Sequence, residues 1–142
     1  MLVNKSTKAS CVLGWRSKQL KRKVVSSLAG EALAACSIIG DMVCVKAVLK
    51  QMFGTRASRI PTVVYTDSKN LQEASRSSST VDDGWLVPDI AIIKDAVEAG
   101  EVELRRIPSA DMLADCLTKA GASGARLMEV MEAGSYELPD SL

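Results

Sequence analysis

The chain has 142 residues, 47% of them hydrophobic and 25% charged, with a formal net charge of +1 and no histidine. That length and balance predict one soluble domain able to bury its own core. The lack of histidine excludes Ser-His-Asp and Cys-His nucleophile systems and every histidine-based zinc site.

Residues 2–3 and 11–15 read as two short strands joined by the polar run "NKSTKAS", a hairpin. Lys5, Lys8, Arg16, Lys18, Lys21, Arg22 and Lys23 all precede the first acidic residue, Glu31. Such a basic front suits phosphate backbones; a solvated, lysine-rich hairpin accounts for it equally well. From Val24 the period changes. Val24, Leu28, Glu31, Ala35, Ile38, Met42, Val45, Leu49 and Met52 fall at spacings of three and four, which predicts a helix over 26–53 stopped by Gly54. Glu31 is the one charged member of that stripe, and a carboxylate on a buried face is costly without a cationic partner.

"IPTVVYTDSKNL" (60–71) predicts a strand over 62–66 that ends on Asp67, then a short helix from Lys69 to about Ala74. Asp67 or Ser68 could cap that helix. "SRSSSTVDDG" (75–84) reads as a flexible loop. Pro88 opens a helix with Ile90, Ile93, Ala96 and Val97 on its apolar face, ending at Gly100. "EVELRRIP" alternates as a strand closed by Pro108. Ser109 would cap a helix over "ADMLADCLTKAG", and a last amphipathic helix covers about Ala125–Ala133. The order is β-β-α-β-α-α-β-α-α, a mixed α/β domain.

Cys11, Cys36, Cys44 and Cys116 lie far apart with no C-x-x-C pair, so they are expected as buried free thiols. No apolar run approaches the ~20 residues of a membrane span, and the polar, basic start is no signal peptide, so an intracellular setting, cytoplasmic or nuclear and away from membranes, is expected.

Three carboxylates stand out: Glu31 on the apolar stripe, Asp67 at a strand tip, and Asp115 in "DMLADCLTK". Asp115 follows Asp111 by four residues, a like-charge pair worth about 0.2–0.5 kcal/mol of destabilisation on a helix. An ion pair with Lys119, also four residues away, is its structural explanation. Acids drawn from a helix, a strand tip and a late helix would also suit divalent metal, since magnesium takes oxygen ligands and keeps several waters. Two such ions about 3.5–4 Å apart activate a water and stabilise the leaving oxygen in phosphodiester cleavage.

"WRSKQLKRKVVSSLAGEALA" (15–34) resembles the copia-type retrotransposon pattern W-x-S-K-x-Q-x…S-S-x-x-A-E. "VVYTDSKNL" is similar to that family's strand ending in T/C-D-N/S, and "GEVELRRIPSADMLADCLTKAG" (100–121) to its G-x-I-x-L-x-x-V/I-P-x-x-x-x-L-A-D-x-L-T-K signature. The resemblance covers roughly residues 10–121 and is to the C-terminal ribonuclease H domain of the Pol polyprotein. It implies a ribonuclease H-like mixed sheet flanked by helices over 1–121, followed by a C-terminal helix and acidic tail over 122–142. It implies Mg2+ or Mn2+ on Glu31, Asp67 and Asp115 as catalytic ligands, and an RNA–DNA hybrid as substrate, with Lys18, Lys21, Arg22 and Lys23 on the nucleic acid. It also implies the rest of the reverse transcriptase as a partner. The three carboxylates would then converge within roughly 10 Å.

Two departures from the pattern matter. The family's first catalytic aspartate lies on a strand before the opening hairpin, and this chain has no acid before Glu31. That first, central strand is therefore expected to be missing, leaving the hairpin and the strand at 62–66 separated or directly paired. Exposure of Ile38, Met42 and Leu49 would then favour self-association. Family members also often carry a basic, His-containing run where this chain reads "DDGWLVPDIAIIKDAV"; Asp89 is retained there and is read as structural. Three readings follow: a metal-dependent nuclease module, a catalytically inactive mobile-element remnant that binds nucleic acid or does nothing, and a small α/β binding module.

Overall fold

A computed structural model describes residues 1–17, 26–77, 86–119 and 121–139. The fold is mixed α/β, and its elements follow the expected order: β1 (Leu2–Val3), β2 (Ser10–Cys11), α1 (Ser27–Phe53), β3 (Val63–Thr66), α2 (Lys69–Arg76), α3 (Val87–Glu98), β4 (Glu103–Arg106), α4 (Asp115–Thr118) and α5 (Ala125–Ala133). Short 3₁₀ turns occupy Gly54–Arg59 and Ser109–Asp111. The loop expected over 75–84 falls mostly outside the described residues. The chain forms two compact units, one of Arg22–Arg106 and one of Met1–Lys21 with Ile107–Leu142.

In the unit Arg22–Arg106, α1 starts where Ser26 leaves extended backbone and its hydroxyl accepts from the Ala29 N–H at 3.2 Å. The helix stops at Gly54, whose φ of 62° and ψ of −144° suit glycine alone. Its buried line is Ala29, Ala32, Ala35, Ile39 and Leu49. This corrects the stripe read from spacing: Glu31 is half-buried, while Ile38 is 41% and Met52 67% exposed. The helix is apolar around most of its circumference, so apolarity does not select a face. The small alanines do, because they let α3 approach closely enough for Cys36 Sγ to donate to the Asp89 carbonyl at 3.1 Å.

By length and composition the helix from Ser27 is sufficient to cross a membrane, which corrects the reading that no apolar run approaches that length. Only 17% of its qualifying 18-residue window is buried; core helices of soluble domains meet the same measure.

β3 and β4 pair in parallel, Val63 opposite Glu103 through Thr66 opposite Arg106. Parallel strands need a crossover, and α2 and α3 supply it. Val64 and Leu104 join Leu71, Ile90, Ile93 and the α1 alanines in one core. Pro88 lies in the first turn of α3, as its fixed φ allows.

In the other unit, β1 and β2 pair antiparallel, Leu2 opposite Cys11 and Val3 opposite Ser10. The second arm is thus shorter and earlier than the expected 11–15. Asn4 shapes the turn, its Oδ1 accepting from the N–H groups of Ser6 and Thr7 at 3.0 and 3.2 Å. The chain after α5 runs against β2, with Ser10 N–H donating to the Gly134 carbonyl and Tyr136 N–H to the Lys8 carbonyl, both at 2.8 Å.

The helix expected over "ADMLADCLTKAG" is broken into the 3₁₀ turn Ser109–Asp111 and the single-turn α4. Ser109 is the first residue of that turn and not its cap, the cap position being Pro108. Asp111 and Asp115 do not share a helix; Asp111 instead accepts from Arg126 Nη1 at 2.9 Å. Among the described residues, β1–β2 and β3–β4 are separate two-stranded sheets. The cysteines are free, but Cys11 and Cys44 are exposed and Cys36 and Cys116 half-buried, so the expected burial does not hold.

Candidate functional site

β3 delivers Asp67 one residue beyond its carboxyl end. Helix α2 is capped by Ser68, whose hydroxyl accepts from the Leu71 N–H at 3.3 Å. Thr66 Oγ1 holds the turn by accepting from the Ser68 N–H at 3.1 Å. The capping role open to either residue is therefore filled by Ser68, and Asp67 stands half-buried beside it. In open parallel sheets the carboxyl ends of strands are where binding groups collect.

The neighbouring strand brings arginines to the same end. Arg106 lies opposite Thr66 in the register. Its Nε is buried without a hydrogen-bond partner among the described residues, as is the Tyr65 hydroxyl. Arg105 is spoken for: Nε and Nη2 donate to the Glu103 carboxylate at 2.7 and 2.8 Å. That pairing raises the Arg105 pKa above its already high ordinary value.

Glu31 lies in the second turn of α1, half-buried next to Ala32, which is fully enclosed. Asp115 opens α4, and its Oδ2 accepts from Lys119 Nζ at 2.5 Å. Glu31 and Asp67 belong to one unit and Asp115 to the other. Among the described residues, no three or more His, Cys, Asp or Glu side chains form a group that could hold a metal ion. Asp115 has the Lys119 ammonium on its carboxylate.

Lys18, Lys21, Arg22 and Lys23, read as nucleic-acid contacts, lie outside the described residues. A second basic region, not evident from spacing, lies between Asp41 and Asp67. Residues 42–66 contain Lys46, Lys50, Arg56 and Arg59 and no acid. The signal was there, as an acid-free run between Asp41 and Asp67, but the apolar helix pattern dominated it. Lys46, Ala47, Lys50, Ala57 and Ser58 line a cavity of about 250 Å³ between α1 and the 3₁₀ turn. A second, of about 220 Å³, shares Lys46 and is lined also by Thr62, Glu101 and Val102. Lys46 Nζ donates to the Glu101 carbonyl at 3.5 Å.

No protein-family model, no curated protein and no solved structure matches the chain.

Proposed function

We propose that this chain is a ribonuclease H-like segment of a copia-type retrotransposon polyprotein, and that by itself it binds an RNA–DNA hybrid without cleaving it. Support for the family comes from three motifs in the family's order, the L-A-D-x-L-T-K run at 113–119 being the most specific. The observation that carries the functional reading is the position of Asp67, placed past the end of a parallel strand and relieved of capping by Ser68. In the intact family protein a pair of Mg2+ or Mn2+ ions would activate the attacking water and stabilise the leaving oxygen. Here Asp115 is paired with Lys119, which favours binding over turnover. The remainder of the reverse transcriptase is its natural partner, in an intracellular setting; of the three residues whose exposure would favour self-association, Ile38 is exposed, Met42 half-buried and Leu49 buried.

The test is an assay on a fluorescent RNA–DNA hybrid in magnesium and in manganese, with Asp67→Asn as control. Hybrid binding with no more than trace cleavage is the expected outcome. Robust cleavage that vanishes in Asp67→Asn would overturn the silent reading. Failure to bind hybrid at low salt would overturn the family reading.

A further inference from the structure

We propose that the cleft between the C-terminal half of α1 and the 3₁₀ turn Gly54–Arg59 binds the backbone of single-stranded nucleic acid. None of its residues belongs to the three retrotransposon-like motifs, so the proposal stands apart from that reading. Two lysines one helical turn apart, Lys46 and Lys50, line a cavity of about 250 Å³ together with the hydroxyl-bearing Ser58. Arg56 and Arg59 stand on the turn that forms the opposite wall, and both are exposed. Like charges at this spacing on one helix repel one another, so the arrangement costs free energy unless an anion occupies it. Among the described residues no carboxylate pairs with Lys50, Arg56 or Arg59. Glu101 lines the neighbouring cavity, not this one.

The anion is a phosphodiester chain rather than a lone ion because the cations are spread along two elements instead of converging on one point. Phe53 chooses the single strand. It follows Lys50 by three residues, is 56% exposed, and is the chain's one phenylalanine. Phe53 ends α1, between Lys50 and Arg56 in the chain, and an exposed ring can stack an unpaired base, since stacking needs an open base face that a duplex does not offer. A membrane headgroup layer would meet the same charges, but it is flat and would leave the cavity unfilled.

The experiment is fluorescence anisotropy of the full chain with a short fluorescein-labelled oligothymidylate across a salt series. Lys50→Gln/Arg56→Gln/Arg59→Gln should weaken binding at low salt by about tenfold or more, and flatten the log–log salt slope by about 0.7 for each lost phosphate contact. Phe53→Ala should weaken it by about fivefold or more while leaving the slope unchanged. Lys50→Gln alone, a single exposed side chain, should give the same trend at about a third of the slope change if the triple variant misfolds. Unchanged affinity and slope in these variants would overturn the proposal. So would binding that disappears only when Lys18, Lys21, Arg22 and Lys23 are neutralised. Capture by phosphatidylserine vesicles through Lys50, Arg56 and Arg59, without oligonucleotide binding, would also overturn it.

Discussion

Cys36 on α1 donates from Sγ to the backbone carbonyl of Asp89 in the first turn of α3, at 3.1 Å. A thiol that close to another helix's backbone leaves little room for a larger side chain. Cys36→Leu should therefore overpack the contact and destabilise the fold by about 1–3 kcal/mol. Cys36→Ala, which keeps the close approach, should cost less. Urea melts of the two variants check the order, and a neutral Cys36→Leu would show that α3 is free to move away.

Adjacent isoleucines on α3 make a sharper pair. Ile93 is fully enclosed and Ile92 is 51% exposed. Ile93→Ala should cost about 2–5 kcal/mol through lost burial and the cavity left behind, whereas Ile92→Ala should stay within about 0.5 kcal/mol. Equal effects would mean that α3 presents a different face to the core.

Gly54 ends α1 with a positive φ and a ψ that only glycine adopts without strain. Gly54→Ala should destabilise by about 1–3 kcal/mol even though a Cβ there meets no neighbour within 4 Å. A lowered midpoint in thermal denaturation is expected, and an unchanged one would show that the turn relaxes to another conformation.

The Asp115–Lys119 pair is surface electrostatics, with the two side chains 24% and 56% exposed. Asp115→Asn and Lys119→Met should each cost no more than about 0.5–1 kcal/mol, and the double variant about the same as either alone. A gain in stability from Asp115→Asn would instead show that its carboxylate is held against like charge, as in a metal-binding cluster.

The elements were largely legible because their signals are local. α5 falls where amphipathic spacing puts it, and β3 is marked by Val63, Val64 and Tyr65 ahead of a polar break. The face of α1 was not legible, since apolar residues surround it and only the closeness of α3 distinguishes Ala32 from Ile38. The break between Ser109 and Asp115 was hidden for a related reason. Met112, Leu113 and Cys116 keep a helical pattern, while Arg126, distant in sequence, draws Asp111 away and donates to the Ala110 carbonyl as well. Of the candidate site, Asp67 was legible at its strand tip. The choice of Ser68 as the cap rests on hydroxyl geometry that spacing does not encode. The cleft at Lys46 and Lys50 needs the 3₁₀ turn folded back on α1, which no single stretch announces.

The parallel pairing of β3 with β4 has a consequence for the order of events in folding. No hairpin can start it, because the whole of α2 and α3 lies between the two strands and must first be gathered in. The helices are expected to form early from their local hydrogen bonds, and the sheet to close late. Leu104, in β4 and 5% exposed, is therefore a residue whose contacts form after the barrier. Leu104→Ala should accelerate unfolding while scarcely slowing refolding, and stopped-flow chevrons showing a φ-value near one would place strand pairing at the start instead.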